Sequence, residues 1–106
     1  MNQFICIMKP TKPKTADAPK YSGAEAGKIF GQHGAFLKKM AGEGTVIFAG
    51  YTMGENPGAL SLAVLNAKSA HDAETIMRAA PAVSAGLLTA DITEFDVFVS
   101  TELRQG

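Results

Sequence analysis

Residues Phe4 to Met8 form an unbroken apolar run of strand-forming side chains, stopped by the Lys9, Pro10 pair, and read as a first strand. From Ala24 to about Ala41 the spacing changes to the helical period. At 100° per residue, Ala26, Ile29, Phe30, His33, Phe36, Leu37 and Met40 gather on one broad face. Gly42 and Gly44 on either side of Glu43 supply the stop. A second apolar run, Val46 to Ala49, places Val46 with Phe48 on one side and Ile47 with Ala49 on the other. It is followed by Gly54 to Gly58, where Asn56, Pro57 and Gly58 stand as a type II turn requires, so Leu60 to Leu65 reads as the return arm of a hairpin. Ser69, with Asp72 three residues on, caps a second helix whose stripe is Ala70, Ala73, Ile76, Met77 and Ala80, ended by Pro81. The final stretch, Asp91 to Val99, sets Phe95, Val97 and Val99 on one side and Glu94 and Asp96 on the other.

The order strand, helix, strand, strand, helix, strand predicts an α+β, ferredoxin-like βαββαβ fold: a four-stranded antiparallel sheet with two helices on one face. The other face is left bare. Yet Phe4, Cys6 and Met8 point one way along the first strand while Ile5 and Ile7 point the other, so that strand is apolar on both sides. A domain this small has no element to spare as a second cover. The pattern predicts a twofold homodimer, sheet face against sheet face.

Length and composition narrow the classes. The 106 residues make one domain spanning 1–106, and 46 % hydrophobic against 19 % charged residues is a balance that folds. Ten Lys+Arg offset ten Asp+Glu, which argues against nucleic acid as a partner. One cysteine cannot make an internal disulfide, and no apolar stretch reaches bilayer length, so a cytoplasmic protein with no membrane partner is expected. Between Lys9 and Gly23 lie three of the five prolines and Lys9, Lys12, Lys14 and Lys20 against Asp17 alone. This long connection is either a solvated loop or an anion-attracting cover.

Candidate chemistry is sparse. No His, Cys or carboxylate spacing suits a metal, and no phosphate loop, dinucleotide fingerprint or serine elbow is present, so no cofactor is expected. Cys6 reads as a small core residue and His71 as a solvated one. His33 has two readings: a core histidine whose ring nitrogens find backbone partners, or a pocket residue able to exchange a proton near neutral pH. Tyr21 and Tyr51, at the ends of elements, either orient a ligand or cap a core edge.

The segments HGAFLKKMAGEGTVIFAG, beginning at His33, and AETIMRAAPAVSAGLLTADITEFDVF together resemble the YCII-related family of small dimeric α/β-barrel proteins. The resemblance implies a ferredoxin-like protomer, a homodimer through the sheets, and a small-molecule pocket in which His33 is the catalytic acid or base. It sets Gly50 and Pro81 beside Tyr21 and Tyr51 as substrate-binding residues. Family members carry an aspartate just before the proline that follows the second helix, as the histidine's partner; here that position is Ala80. Two functions follow as expectations. One is an enzyme of lyase, isomerase or dehalogenase type acting on a small organic acid. The other is a non-catalytic small-molecule-binding or accessory module, which the missing aspartate favours.

Overall fold

The computed structural model describes residues 2–11 and 21–100. Its elements are β1 (Asn2–Pro10), α1 (Gly23–Gly42), β2 (Val46–Tyr51), β3 (Ser61–Ala67), α2 (Ala70–Arg78), α3 (Pro81–Ser84) and β4 (Leu88–Glu94). The four strands form one sheet in the order β2-β3-β1-β4, with every neighbouring pair antiparallel. This is the ferredoxin-like arrangement, and the short helix α3 is an addition to it.

Local chemistry explains where the elements begin and end. The Ser22 hydroxyl accepts from the Glu25 N–H while the Glu25 carboxylate accepts from the Ser22 N–H, a reciprocal box that starts α1. The helix stops at Glu43, and Gly44 follows with φ +82°, a conformation that glycine takes without steric cost. In the hairpin, Ala59 N–H donates to Asn56 C=O at 3.1 Å and Gly58 has φ +78°, as a type II turn demands. The Ser69 hydroxyl accepts from Asp72 N–H and caps α2.

One face of the sheet carries the core. Phe4, Cys6 and Met8 of β1 lie with Ala63, Leu65 and Ala67 of β3 beneath Ala73 and Met77 of α2, and Ile29, Phe36, Leu37 and Met40 of α1 pack against them. Phe30, at the margin of the helical stripe, is exposed. Ala70 is exposed as well, one turn before the buried Ala73.

The opposite face is apolar along its middle. Antiparallel partners point to the same side, so Ile5 beside Val64, Ile7 beside Leu62, and Phe48 beside Val64 form a continuous strip there. Val64 is fully buried and lies outside the core cluster. Gln3, Lys9, Asp91 and Thr93 flank the strip.

Two details differ from the spacing. Val46 and Phe48 do not share a side: a bulge at Ile47 shifts the register, so Val46 faces the core while Phe48, 39 % exposed, faces outward and Ala49 inward. The last strand runs from Leu88 to Glu94 rather than from Asp91 to Val99. The pairing with β1 ends at Glu94 opposite Phe4. Phe95 N–H still donates to Gln3 C=O, and the Gln3 side-chain oxygen accepts from Val97 N–H at 2.9 Å; beyond this Phe98 and Val99 are exposed.

Gly31 lies on the exposed side of α1, and a Cβ there would meet nothing. Gly31→Ala is therefore expected to raise stability by about 1 kcal/mol through helix propensity. Urea denaturation checks this, and a loss of stability would mean that this face of α1 is covered.

Candidate active site

α3 brings three of the predicted site residues together. Ala80, just before the proline, is extended (φ −64°, ψ 131°), as a residue preceding proline must be, and serves as the N-cap of α3 without any side-chain bond. Pro81 occupies the first helical turn. The Ala82 N–H then donates to Nδ1 of His33 at 3.2 Å, across 49 positions of sequence. At the other end of α3 the Tyr21 hydroxyl donates to Ala85 C=O at 3.1 Å. His33, across the α1–α3 seam, and Tyr21 thus bond to opposite ends of α3, the helix that Pro81 begins.

The bond at Nδ1 sets the state of the ring. An acceptor nitrogen carries no proton, so the neutral imidazole bears its hydrogen on Nε2. Among the described residues His33, 7 % exposed, makes no other hydrogen bond and leaves no buried polar atom without a partner, so Nε2 keeps contact with solvent. Burial pushes the imidazole below its ordinary pKa of 6.5. Among the described residues no carboxylate opposes that shift, consistent with alanine at position 80.

The other two predicted residues lie elsewhere. Gly50 and Tyr51, at the end of β2, line an open groove of about 290 Å³ with Phe48, Thr52, Leu60 and Leu62. Tyr51 is 67 % exposed there. None of Tyr21, His33 and Pro81 lines that groove. Cys6 is fully buried, and burial followed by the charge of Asp91 pushes its thiol up to about 12, which keeps it protonated. His71 is exposed. Lys12, Lys14, Asp17 and Lys20 lie outside the described residues, and with them most of the connecting loop.

Sequence reasoning missed α3 and its Ala82 amide. Four residues are too few for a periodic signal. The available signs were Pro81, suited to a helix start, and Gly86, which takes φ +81° just after the helix.

With the fold and the seam in view, the comparisons give a family. The YCII-related domain matches residues 3–96. The chain belongs to the YCII-related family. No curated protein sequence is significantly similar to it. Among solved structures, this YCII-related chain is similar to 5-chloro-2-hydroxyhydroquinone dehydrochlorinase from Burkholderia phenoliruptrix, in complex with 2,5-dihydroxybenzoquinone, with TM-score 0.62 and 16 % identity over 88 % of this chain and 93 % of that one. It is similar to muconolactone isomerase with TM-score 0.64 and 13 % identity, covering 97 % of each chain. A cofactor-independent oxygenase from Streptomyces nogalater superposes at TM-score 0.49 and 14 % identity, over 97 % of this chain and 100 % of that one. At these identities the first two likenesses establish the fold. No helix of the YCII-related chain, among the described residues, is long and apolar enough to cross a membrane.

The His33 shift has a stability consequence with a definite sign. The unfolded chain takes up the proton more readily than the native one, so the contribution of neutral His33 is complete above pH 6.5 and is lost as pH falls from 6.5 through the lower native value. The urea midpoint should therefore hold steady at neutral pH and decline below 6.5, with a flatter profile for His33→Gln over the same window. Equal declines in both proteins would remove His33 as the cause.

Proposed function

We propose that this protein acts on a small oxygenated organic molecule, with chemistry of the lyase, isomerase or dehalogenase class, and that His33 is the group that engages it. The carrying observation is the divided use of the imidazole: Nδ1 is held by the Ala82 amide, and Nε2 is left as a donor that reaches solvent. A neutral imidazole held this way can donate to a carbonyl, carboxylate or phenolic oxygen and polarise it. Taking a proton from substrate would need the Nδ1 lone pair, so base chemistry requires the Ala82 bond to be given up in the same event. Tyr21 and Pro81 belong to the same seam and place the ring's surroundings; Gly50 and Tyr51 are proposed as contacts for a more distant part of a ligand. The fold also carries a dehydrochlorinase crystallised with 2,5-dihydroxybenzoquinone and a muconolactone isomerase, which supports an enzyme-like role on oxygenated rings and lactones.

A second reading has its own observation. Ala80 leaves the imidazole without a carboxylate to steady its cation, which favours a module that binds the same class of molecule without turning it over.

The ring nitrogens of ¹⁵N-labelled protein report on both readings. Adding 2,5-dihydroxybenzoquinone or muconolactone should shift Nε2 of His33 saturably. Turnover that drops about 10²-fold or more in a folded His33→Gln variant supports the enzyme. Saturable binding without turnover supports the module, and an Nε2 signal unmoved by either compound rejects both.

The proposal includes a homodimer through the outer sheet faces, because no element among the described residues packs over the strip of Ile5, Ile7, Leu62, Val64 and Phe48. Sedimentation at micromolar concentration should give a species of twice the 11.1 kDa chain mass. A stable, well-folded monomer would reject the pairing.

A further inference from the structure

A backbone account of α3 leaves one group that the segment cannot satisfy for itself. Pro81 has no N–H. The N–H groups of Val83 and Ser84 both donate to Ala80 C=O, at 3.0 and 2.8 Å, and that of Ala85 donates to Pro81 C=O. Only the Ala82 N–H, in the first turn, looks outside, and its acceptor is Nδ1 of His33. Ala80 has no side-chain oxygen to offer as an alternative. Ala82 is 0 % exposed, so water cannot replace the imidazole while α3 stays where it is. A helix of four residues does not stand alone: Ala82 and Val83 pack into the core, and the Tyr21 hydroxyl donates to Ala85 C=O at its other end.

We infer that His33 is a proton-operated latch: the neutral ring docks α3 against α1, and protonation at Nδ1 releases it. The chemistry is strict. A proton taken from solvent at Nδ1 turns the acceptor into a donor that faces another donor. Turning the ring over does not help, because the imidazolium carries hydrogen on both nitrogens and has no acceptor in any orientation. The Ala82 amide is then buried without a partner unless α3 moves far enough to admit water.

The charged surroundings do not hold the latch shut or open. On α1 itself the ionisable neighbours are Glu25, Lys28, Lys38 and Lys39, and α3 carries none. β2, which also packs on α1, contributes Tyr51. α2 and β4, which pack on α3, bring His71, Asp72, Glu74 and Arg78, and Asp91 and Glu94. None of them offsets the burial of the ring, whose lowered pKa agrees with a docked, neutral state at neutral pH. The latch needs no ligand, so it stands or falls apart from the function proposed above.

Amide and ring ¹⁵N spectra from about pH 8 down to about pH 4 test it directly, a span that runs below an ordinary histidine titration to take in the lowered native value. The amides of Ala82 to Gly86 should move with the midpoint of His33. Protection of the Ala82 amide from exchange, corrected for its intrinsic rate, should fall about tenfold or more across that midpoint. His33→Gln offers a carboxamide oxygen that does not titrate, and in it the α3 amides should lose their pH dependence. Ala80→Asp places an acceptor at the N-cap itself, and should keep α3 protected through the His33 titration whether or not the glutamine variant folds. The latch is refuted if the α3 amides stay flat while wild-type His33 titrates, or if the same midpoint persists in either folded variant.

Discussion

A backbone amide buried away from water must find an acceptor, and at the start of α3 the chain supplies one from 49 residues upstream. That single need ties α1 to α3 and settles the tautomer of the only buried histidine among the described residues. It also decides which ring nitrogen faces outward. An oxygen-bearing side chain at position 80 would have met the need locally and left both imidazole nitrogens open to other partners. With alanine there, packing takes the Nδ1 lone pair in the resting protein.

The sheet frames this arrangement. β1 lies inside the sheet with partners on both sides, and its alternate residues feed two layers: Phe4, Cys6 and Met8 toward the helices, Ile5 and Ile7 toward the open face. The helical layer is complete within one chain. The other layer is an apolar strip between polar margins. An interior layer for the helices and an apolar strip on the opposite face therefore come from one nine-residue strand.

Much of the fold was legible because its signals are local and periodic. The helical stripe of α1, the Asn56-Pro57-Gly58 turn and the Ser69 cap each act within a few residues, and each stands where spacing put it. The misplaced last strand has a different origin. Phe95 to Val99 carries strand-like alternation, but a strand is defined by its pairing, and the pairing of β4 with β1 ends at Glu94 opposite Phe4. The outward turn of Phe48 was hidden for a similar reason, since the extra residue at Ile47 is defined by pairing with β3 and not by the order of side chains. At the site, the periodicity of α1 places His33 on the inward stripe, and the bond from Ala82 could not be read because it joins two segments far apart in sequence. Gly50 and Tyr51 went to a groove of their own because β2 ends at the hairpin rather than at the α1–α3 seam.

The bulge in β2 works as a phase inverter. Three consecutive residues, Val46, Ile47 and Phe48, hand the strand from one layer to the other, so that an aliphatic group plugs the helical side while an aromatic ring is displayed on the reverse. Deleting Ile47 would leave Val46 opposite Leu65 and Phe48 opposite Val64 in plain alternation, whereas regular pairing of all three residues would draw the phenyl group inward and make everything up to the hairpin exchange sides. The bulge thus takes up one residue of length while leaving unchanged which groups β2 presents to each layer.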